Sequence, residues 1–381
     1  MSAQGPAKPQ GAASIAVFKE IRVLVVDDSN SMCELVTRLL NDAPDITVVG
    51  TASNGLEARD QVKALNPDVI TLDVTMPGMD GISFLENLMR LRPMPVVMLS
   101  SHTTVGADVT LQALQLGAVS AIAKPRLNVE KSLAANAEDL CWEIRNAAAM
   151  SEAVRCWQPV KNASQNNATA TAQDRRRFDP SHKISGAASR FLVAMGASTG
   201  GTEAIHRLLS QTPPGNPGIV IAQHIPAAFS ASFARRADRN CPLIVTEANN
   251  GEVIRDGHCY IAPGDQHLTV ARSADGFCCR LDSEPKVNFH RPSVDRLFDS
   301  VATTLGNRAV GIILTGMGRD GATGLLKMQM AGAHTIGQDE ATSDIYGMPR
   351  AAMELNAVNA QMALDAIPDA MVSALRRLQR R

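Results

Sequence analysis

Two sets of residues have the types and spacing to do chemistry. The first is Asp27, Asp28, Asp73, Ser100 and Lys124, and each closes a short apolar run: IRVLVVDD, PDVITLDV, PVVMLSS and AVSAIAKP. Open parallel sheets bind ligands beyond the carboxyl ends of their strands. That placement brings three carboxylates, a hydroxyl and an ammonium to one edge. Clustered carboxylates repel one another and resist ionisation. A hard divalent cation with oxygen ligands relieves this, and Mg²⁺ commonly keeps waters and phosphate oxygens as its remaining ligands. Asp73 can act as a nucleophile toward a phosphoryl group. Lys124 supplies a point charge for the phosphoryl oxygens, and Ser100 a hydrogen bond. Taken singly, each is also an ordinary strand-end cap or turn residue.

The second set is Ser198, His224 and Asp320. Ser198 lies in Gly196-Ala197-Ser198-Thr199-Gly200-Gly201, after an apolar run and before a helical pattern. This fits G-x-S-x-G, the nucleophile-elbow pattern. A helix N-terminus there offers amide donors to a developing oxyanion. By itself the hexapeptide is equally compatible with a phosphate-binding or purely structural turn, although G-x-G-x-x-G and the P-loop lysine are absent. His224 ends the run IVIAQH, and Asp320 sits in TGMGRDG after AVGIILTG. Neutral His224 would take the Ser198 proton, and Asp320 would fix its tautomer and stabilise the imidazolium. The chain order Ser, His, Asp differs from the Ser, Asp, His order of α/β-hydrolases, so a different fold is expected to carry the same chemistry. Of the other histidines, His102 belongs to the first half, His182 to the linker and His206 to the helical pattern after Ser198, while His258, His267, His290 and His334 lack a strand-end nucleophile beside them. His290-Arg291-Pro292-Ser293 is an unusual polar cluster that could line the cleft.

The elements that must position these groups follow from periodicity. From Ile21 onward, five apolar runs alternate with helical patterns. After the first, Met32, Leu35, Val36, Leu39 and Leu40 recur at helical spacing behind a polar Ser29-Asn30-Ser31 start. Such alternation implies a parallel sheet with helices on both faces. A long helical pattern spans about 129–153. The polar stretch that follows, with Arg175-Arg176-Arg177, reads as a linker. A second alternation begins near 190, with a β-rich stretch around LIVTEA and HCYIAPGDQHLTVA.

Composition narrows the function classes. Lys+Arg is 37 and Asp+Glu 38, a net charge of −1, and aromatics are only 3%. Neither a basic field nor a base-stacking platform is present, so no nucleic-acid partner is expected. No apolar run is long enough for a membrane span, so no direct membrane insertion is expected. MSAQGPAKPQGAAS reads as a disordered tail rather than a signal peptide. The seven cysteines include no C-x-x-C pair, which fits a reduced, cytoplasmic protein without structural zinc.

Asp27-Asp28, DVTMPGMDG around Asp73, and Lys124-Pro125 resemble two-component response-regulator receivers. GASTGG, AQHIP, YIAPGDQHL, HRPSVDRLF, LTGMGRDG and QDEATSDIYGMPR resemble the chemotaxis-type protein-glutamate methylesterases. The resemblance implies two doubly wound parallel-sheet α/β domains, receiver-like and then a Rossmann-like serine hydrolase. The expected division is a disordered tail over 1–20, a receiver over 21–140, a helical extension and linker over 141–187, and a catalytic domain over 188–381. It implies phosphorylation of Asp73 by a histidine kinase, with Mg²⁺ held by Asp28, Asp73 and the Thr75 carbonyl beside Asp27. It implies a Ser198-His224-Asp320 triad with oxyanion contacts at Thr199 and the Met317 backbone, and no cofactor for the esterase reaction. The implied substrates are methyl esters, and glutamines, of chemoreceptors. The unphosphorylated receiver is expected to cover the esterase cleft. Ala121 stands where many receivers carry an aromatic residue, which puts an aromatic switch in doubt.

Overall fold

The computed structural model describes residues 20–100, 109–110, 112–114, 116–124, 130–151, 154 and 186–380. Residues 1–19 of the expected tail, residues 155–185 of the expected linker with its arginine cluster, and His102 and His182 lie outside these residues.

The first sheet has the strands β1 (Ile21–Val26), β2 (Ile46–Ala52), β3 (Val69–Asp73), β4 (Val96–Ser100) and β5 (Ser120–Ala123). Their order is β2-β1-β3-β4-β5, and every neighbouring pair is parallel. β3 and β4 are buried at every position, which is why they read as continuous apolar runs rather than alternating ones. Helices α1 (Asn30–Asn41), α2 (Gly55–Leu65), α3 (Gly81–Leu91) and α4 (Glu130–Ala149) flank the sheet. Ser29 caps α1 by accepting from the Met32 N–H, so the chain turns from strand to helix immediately behind Asp27 and Asp28. Gly81 opens α3 against the Asp73 carbonyl oxygen, where a Cβ would come within 2.0 Å. The small residue in DVTMPGMDG therefore lets the loop after β3 fold back on the strand end. α4 packs on α1, and its Arg145 donates to both carboxylate oxygens of Asp45, in the turn between α1 and β2, at 2.7 and 2.6 Å.

The second sheet is larger. Its strands are β6 (Leu192–Ala197), β7 (Ile219–Gln223), β8 (Ile244–Glu247), β9 (His258–Ile261), β12 (Ala309–Ile313), β13 (His334–Gln338) and β14 (Ala360–Met362). The seven strands run in the order β14-β13-β12-β6-β7-β9-β8, all parallel. β6, β7 and β12 are wholly buried. The chain leaves β6 toward β7 on one side and later returns to β12 on the other. A switch point of this kind opens a crevice beyond the strand ends. The stretch read from sequence as simply β-rich divides in two. LIVTEA and HCYI supply β8 and β9 to the parallel sheet. β10 (His267–Ser273) and β11 (Gly276–Asp282) stand outside that sheet and pair with each other as an antiparallel ribbon.

Helices α5 (Gly201–Gln211), α6 (Ala227–Asn240), α7 (Val294–Leu305), α8 (Ala322–Met330), α9 (Met348–Glu354) and α10 (Ile367–Gln379) complete this half. Among the described residues six cysteines are buried and unbridged. No described helix is long and apolar enough to cross a membrane.

Candidate functional sites

At the edge of the first sheet, Asp27, Asp28 and Asp73 place carboxylate oxygens within 4.8 Å of one another. Asp27 and Asp73 are buried and Asp28 is exposed. The Lys124 ammonium lies 2.8 Å from both Asp27 Oδ2 and Asp73 Oδ2. Burial pushes the Asp73 carboxyl above its usual range, against the pull of Lys124 and a hydrogen bond from the Thr75 backbone. Burial would lower the Lys124 ammonium, but its bonds to Asp27 and Asp73 carry it above the ordinary lysine value. One ammonium thus faces several carboxylates, and the donor set is all hard oxygen, which suits a divalent cation such as Mg²⁺. Ser100 is buried at the end of β4, and its Oγ accepts from Thr110 Oγ1 at 2.8 Å.

In the second sheet, Ser198, His224 and Asp320 follow β6, β7 and β12, the three strands at the switch point. The turn at Ser198 is held from several sides. Its N–H donates to the Thr315 carbonyl at 3.0 Å. Gln223 Nε2 donates to the carbonyls of Ser198 at 2.8 Å and His224 at 3.0 Å, tying the end of β6 to the end of β7. Thr315 Oγ1 donates to the Thr199 carbonyl, and the Thr315 N–H donates to Gln338 Oε1. Gly316 abuts Ser198 so closely that a Cβ on it would lie 2.7 Å from Ser198 Cβ. The TGMG segment can therefore pass beside Ser198 only with a glycine there.

Asp320 is saturated with donors. Its carboxylate accepts from His224 Nε2 at 2.8 Å, Asn288 Nδ2 at 2.9 Å, Ser293 Oγ at 2.8 Å, and the N–H groups of Val294 at 2.7 Å and Asp295 at 3.2 Å. Two of these are amides at the N-terminus of α7, where an anion is favoured. Burial alone would raise this carboxyl. The hydrogen bond and charge of His224, with Asn288 and Val294, outweigh burial and hold it well below the carboxylate range. An ionised Asp320 can only accept, so Nε2 of His224 carries the proton and Nδ1 presents its lone pair. Nδ1 is buried and has no hydrogen-bond partner. Among the described residues the N–H groups of Thr199 and Met317 also make no hydrogen bond, and both flank the Ser198 turn.

The sequence singled out HRPS as a cluster near the cleft, and the structure gives two of its members a place. Ser293 donates to Asp320, and the His290 ring lies flat on His224, with centroids 3.5 Å apart and planes 12° from parallel. Asn288 and Gln223 escaped the sequence reading, because an amide in a loop or at a strand end carries no signature of its own. The other face of this loop meets the first half of the molecule. Trp142 of α4 sets its edge on His290 at 4.8 Å, and Lys286 pairs with Asp139 at 2.5 Å.

A parallel-sheet domain with clustered strand-end carboxylates, joined to a second parallel-sheet domain with a serine, a histidine and a carboxylate at its switch point, defines a two-domain α/β hydrolase class. Comparison with known proteins makes this particular. The response regulator receiver domain family matches residues 23–135, and the CheB methylesterase family matches residues 193–371. A protein-glutamate methylesterase/protein-glutamine glutaminase of Burkholderia lata is 49% identical over 90% of this chain and 92% of its own length. One from Dechloromonas aromatica is 49% identical over 93% of this chain and 98% of its own. The solved CheB methylesterase catalytic domain of Thermotoga maritima is 34% identical, covers 50% of this chain and 99% of its own, and superposes with a TM-score of 0.47. The chain belongs to the family of receiver-fused CheB methylesterases.

Proposed function

We infer that this protein hydrolyses glutamyl methyl esters of chemoreceptors, releasing methanol, and deamidates receptor glutamines, under the control of phosphorylation at Asp73. The observation that carries the catalytic part is the His224–Asp320 pair beside the Ser198 turn. The relatives named above are methylesterases and glutaminases, which supports both substrates.

In this reading Ser198 Oγ attacks the ester carbonyl carbon. His224 Nδ1 takes the hydroxyl proton, since Nε2 is committed to Asp320. The oxyanion of the tetrahedral intermediate accepts hydrogen bonds from the Thr199 and Met317 N–H groups. As the intermediate collapses, His224 returns the proton to the leaving methoxide, and methanol departs. Water then adds to the acyl-enzyme with His224 again as base, giving the glutamate carboxylate and free Ser198. With a glutamine side chain the leaving group is ammonia. These steps use only side chains and amides of this chain.

Asp73 accepts the phosphoryl group from a histidine kinase. Lys124 and Ser100 support its oxygens, and Asp27, Asp28, Asp73 and the Thr75 carbonyl would hold Mg²⁺. The cation supplies charge neutralisation for the incoming phosphoryl oxygens. The proposed division is a receiver over 21–140, a helical extension and linker over 141–187, and a catalytic domain over 188–381, acting in the cytoplasm. Contacts of Trp142 and Asp139 with the esterase loop support a receiver that covers the cleft until phosphorylation shifts it.

The test is methanol release from methylated receptor, with and without a small phosphodonor and Mg²⁺. The parent chain releases methanol and is stimulated. Folded Ser198→Ala releases none, a loss of about 10⁴-fold or more. Hydrolysis retained by that variant sinks the triad assignment.

A further inference from the structure

The loop over 287–293 does more than brace Asp320. Its backbone makes a tight return in which the Val287 and His290 N–H groups each donate to the other residue's carbonyl, at 3.1 and 2.9 Å. Asn288 and Phe289, at the tip, have φ of 52° and 67°. This return aims Asn288 at Asp320 and lays the His290 ring on the His224 ring. One loop therefore touches both the acid and the base of the triad. Asp320 fixes His224 only along one edge, through Nε2. A single hydrogen bond leaves the imidazole free to rock about that axis, and a flat partner on its face removes that freedom. His290 has a second contact of its own, the edge of Trp142.

We propose that His290 is a positioning residue for the catalytic base, a flat partner that holds the His224 ring plane so that Nδ1 meets Ser198, and that Trp142 of the receiver-side helix α4 acts on the base through it. The assignment rests on the triad reading above. It differs from simple covering of the cleft, because it predicts an effect on Ser198 itself, even toward a reagent too small to be shut out.

The electrostatics agree with the geometry. Burial, and then the neighbouring His224, push His290 far below the usual histidine value, so it is neutral at working pH. A neutral ring can lie against His224 without opposing the positive charge that His224 takes up when it accepts the serine proton.

The experiment uses the full-length chain and measures the second-order rate of Ser198 labelling by a small sulfonyl fluoride, beside kcat and KM for receptor demethylation. Circular dichroism checks the fold of each variant. His290→Ala is expected to lower labelling and kcat by about 3- to 10-fold, the range of one ring pair, with KM unchanged. His290→Phe keeps a ring on the face of His224 and is expected to recover most of the loss. Trp142→Ala is expected to change the labelling rate by about 2- to 3-fold in the parent and to have no further effect in His290→Ala. A folded His290→Ala labelled at the parent rate, or a Phe variant as slow as the Ala variant, overturns the positioning role. Additive effects of the Trp142 and His290 substitutions overturn the link to α4. Ser198→Ala separates this failure from that of the underlying reading. If that variant is still labelled at the parent rate, or still releases methanol, the triad itself is wrong, whatever His290 does.

Discussion

Asp73 and Asp320 are the same side chain at equivalent places, each beyond the carboxyl end of a central parallel strand, yet their surroundings push them in opposite directions. Asp73 is buried beside Asp27 and shares one lysine with it, and its carboxyl is raised. Asp320 is buried among five donors, two of them backbone amides of a helix start, and its carboxyl is lowered. The first is an anion short of positive charge, suited to receiving an electrophilic phosphoryl group with a cation beside it. The second is an anion fully satisfied in place, unsuited to bond formation and suited to orienting a histidine. Burial is common to both, and the count of donors decides the role.

The largest expected effect comes from removing the Asp320 charge. Asp320→Asn puts an amide where a carboxylate accepts from His224, and this favours the wrong imidazole tautomer. Turnover should fall by about 10²- to 10⁴-fold, read as methanol release. The same substitution leaves donors facing an amide nitrogen and should cost about 3–5 kcal/mol in denaturant unfolding of the second domain. A smaller effect of opposite sign is expected in the first domain. Asp73→Asn relieves carboxylate crowding, so thermal unfolding should show a higher Tm for the receiver, while stimulation by phosphodonor disappears and basal methanol release remains. Equal stimulation of mutant and parent would remove the receiver from control.

The two sites should also part company with pH. Asp320 has a folded value below its unfolded one, so its contribution is present above pH about 3.8 and is lost as pH falls through the lower folded value. Asp73 has a folded value above its unfolded one. Its contribution is fully present below pH about 3.8 and is lost as pH rises through the raised value. Unfolding followed separately in the two domains from about pH 1 to 7 should show Asp320→Asn flattening the acid side of the second domain. Asp73→Asn should flatten the decline of the first. The same slope in both parents and mutants would break the contrast. The smallest effect is expected of Asn288→Ala, which deletes one donor of five. It should cost about 1–2 kcal/mol in unfolding and lower kcat a few-fold, with KM little changed.

The sequence by itself determined the two parallel sheets and the residues at their edges. Buried parallel strands must be apolar throughout, so the polar residue that ends each run is conspicuous, and Asp27, Asp73, Ser100, Lys124, Ser198 and His224 were all visible in this way. GASTGG announced a sharp strand-to-helix turn through its small residues. Asp320 was less conspicuous, as an aspartate in a glycine-rich turn, and only its partners show that it is held against His224. Tertiary structure alone decided which atoms meet. The strand order that sets β6 between β7 and β12 brings Ser198, His224 and Asp320 together from far apart in the chain. The use of Nε2 rather than Nδ1 toward Asp320 follows from the approach of two strand ends, and nothing in local sequence encodes it. Gln223, Asn288 and His290 owe their roles to contacts across the fold. The meeting of Trp142 with His290 depends on how the two sheet-bearing halves pack, where periodicity carries no information.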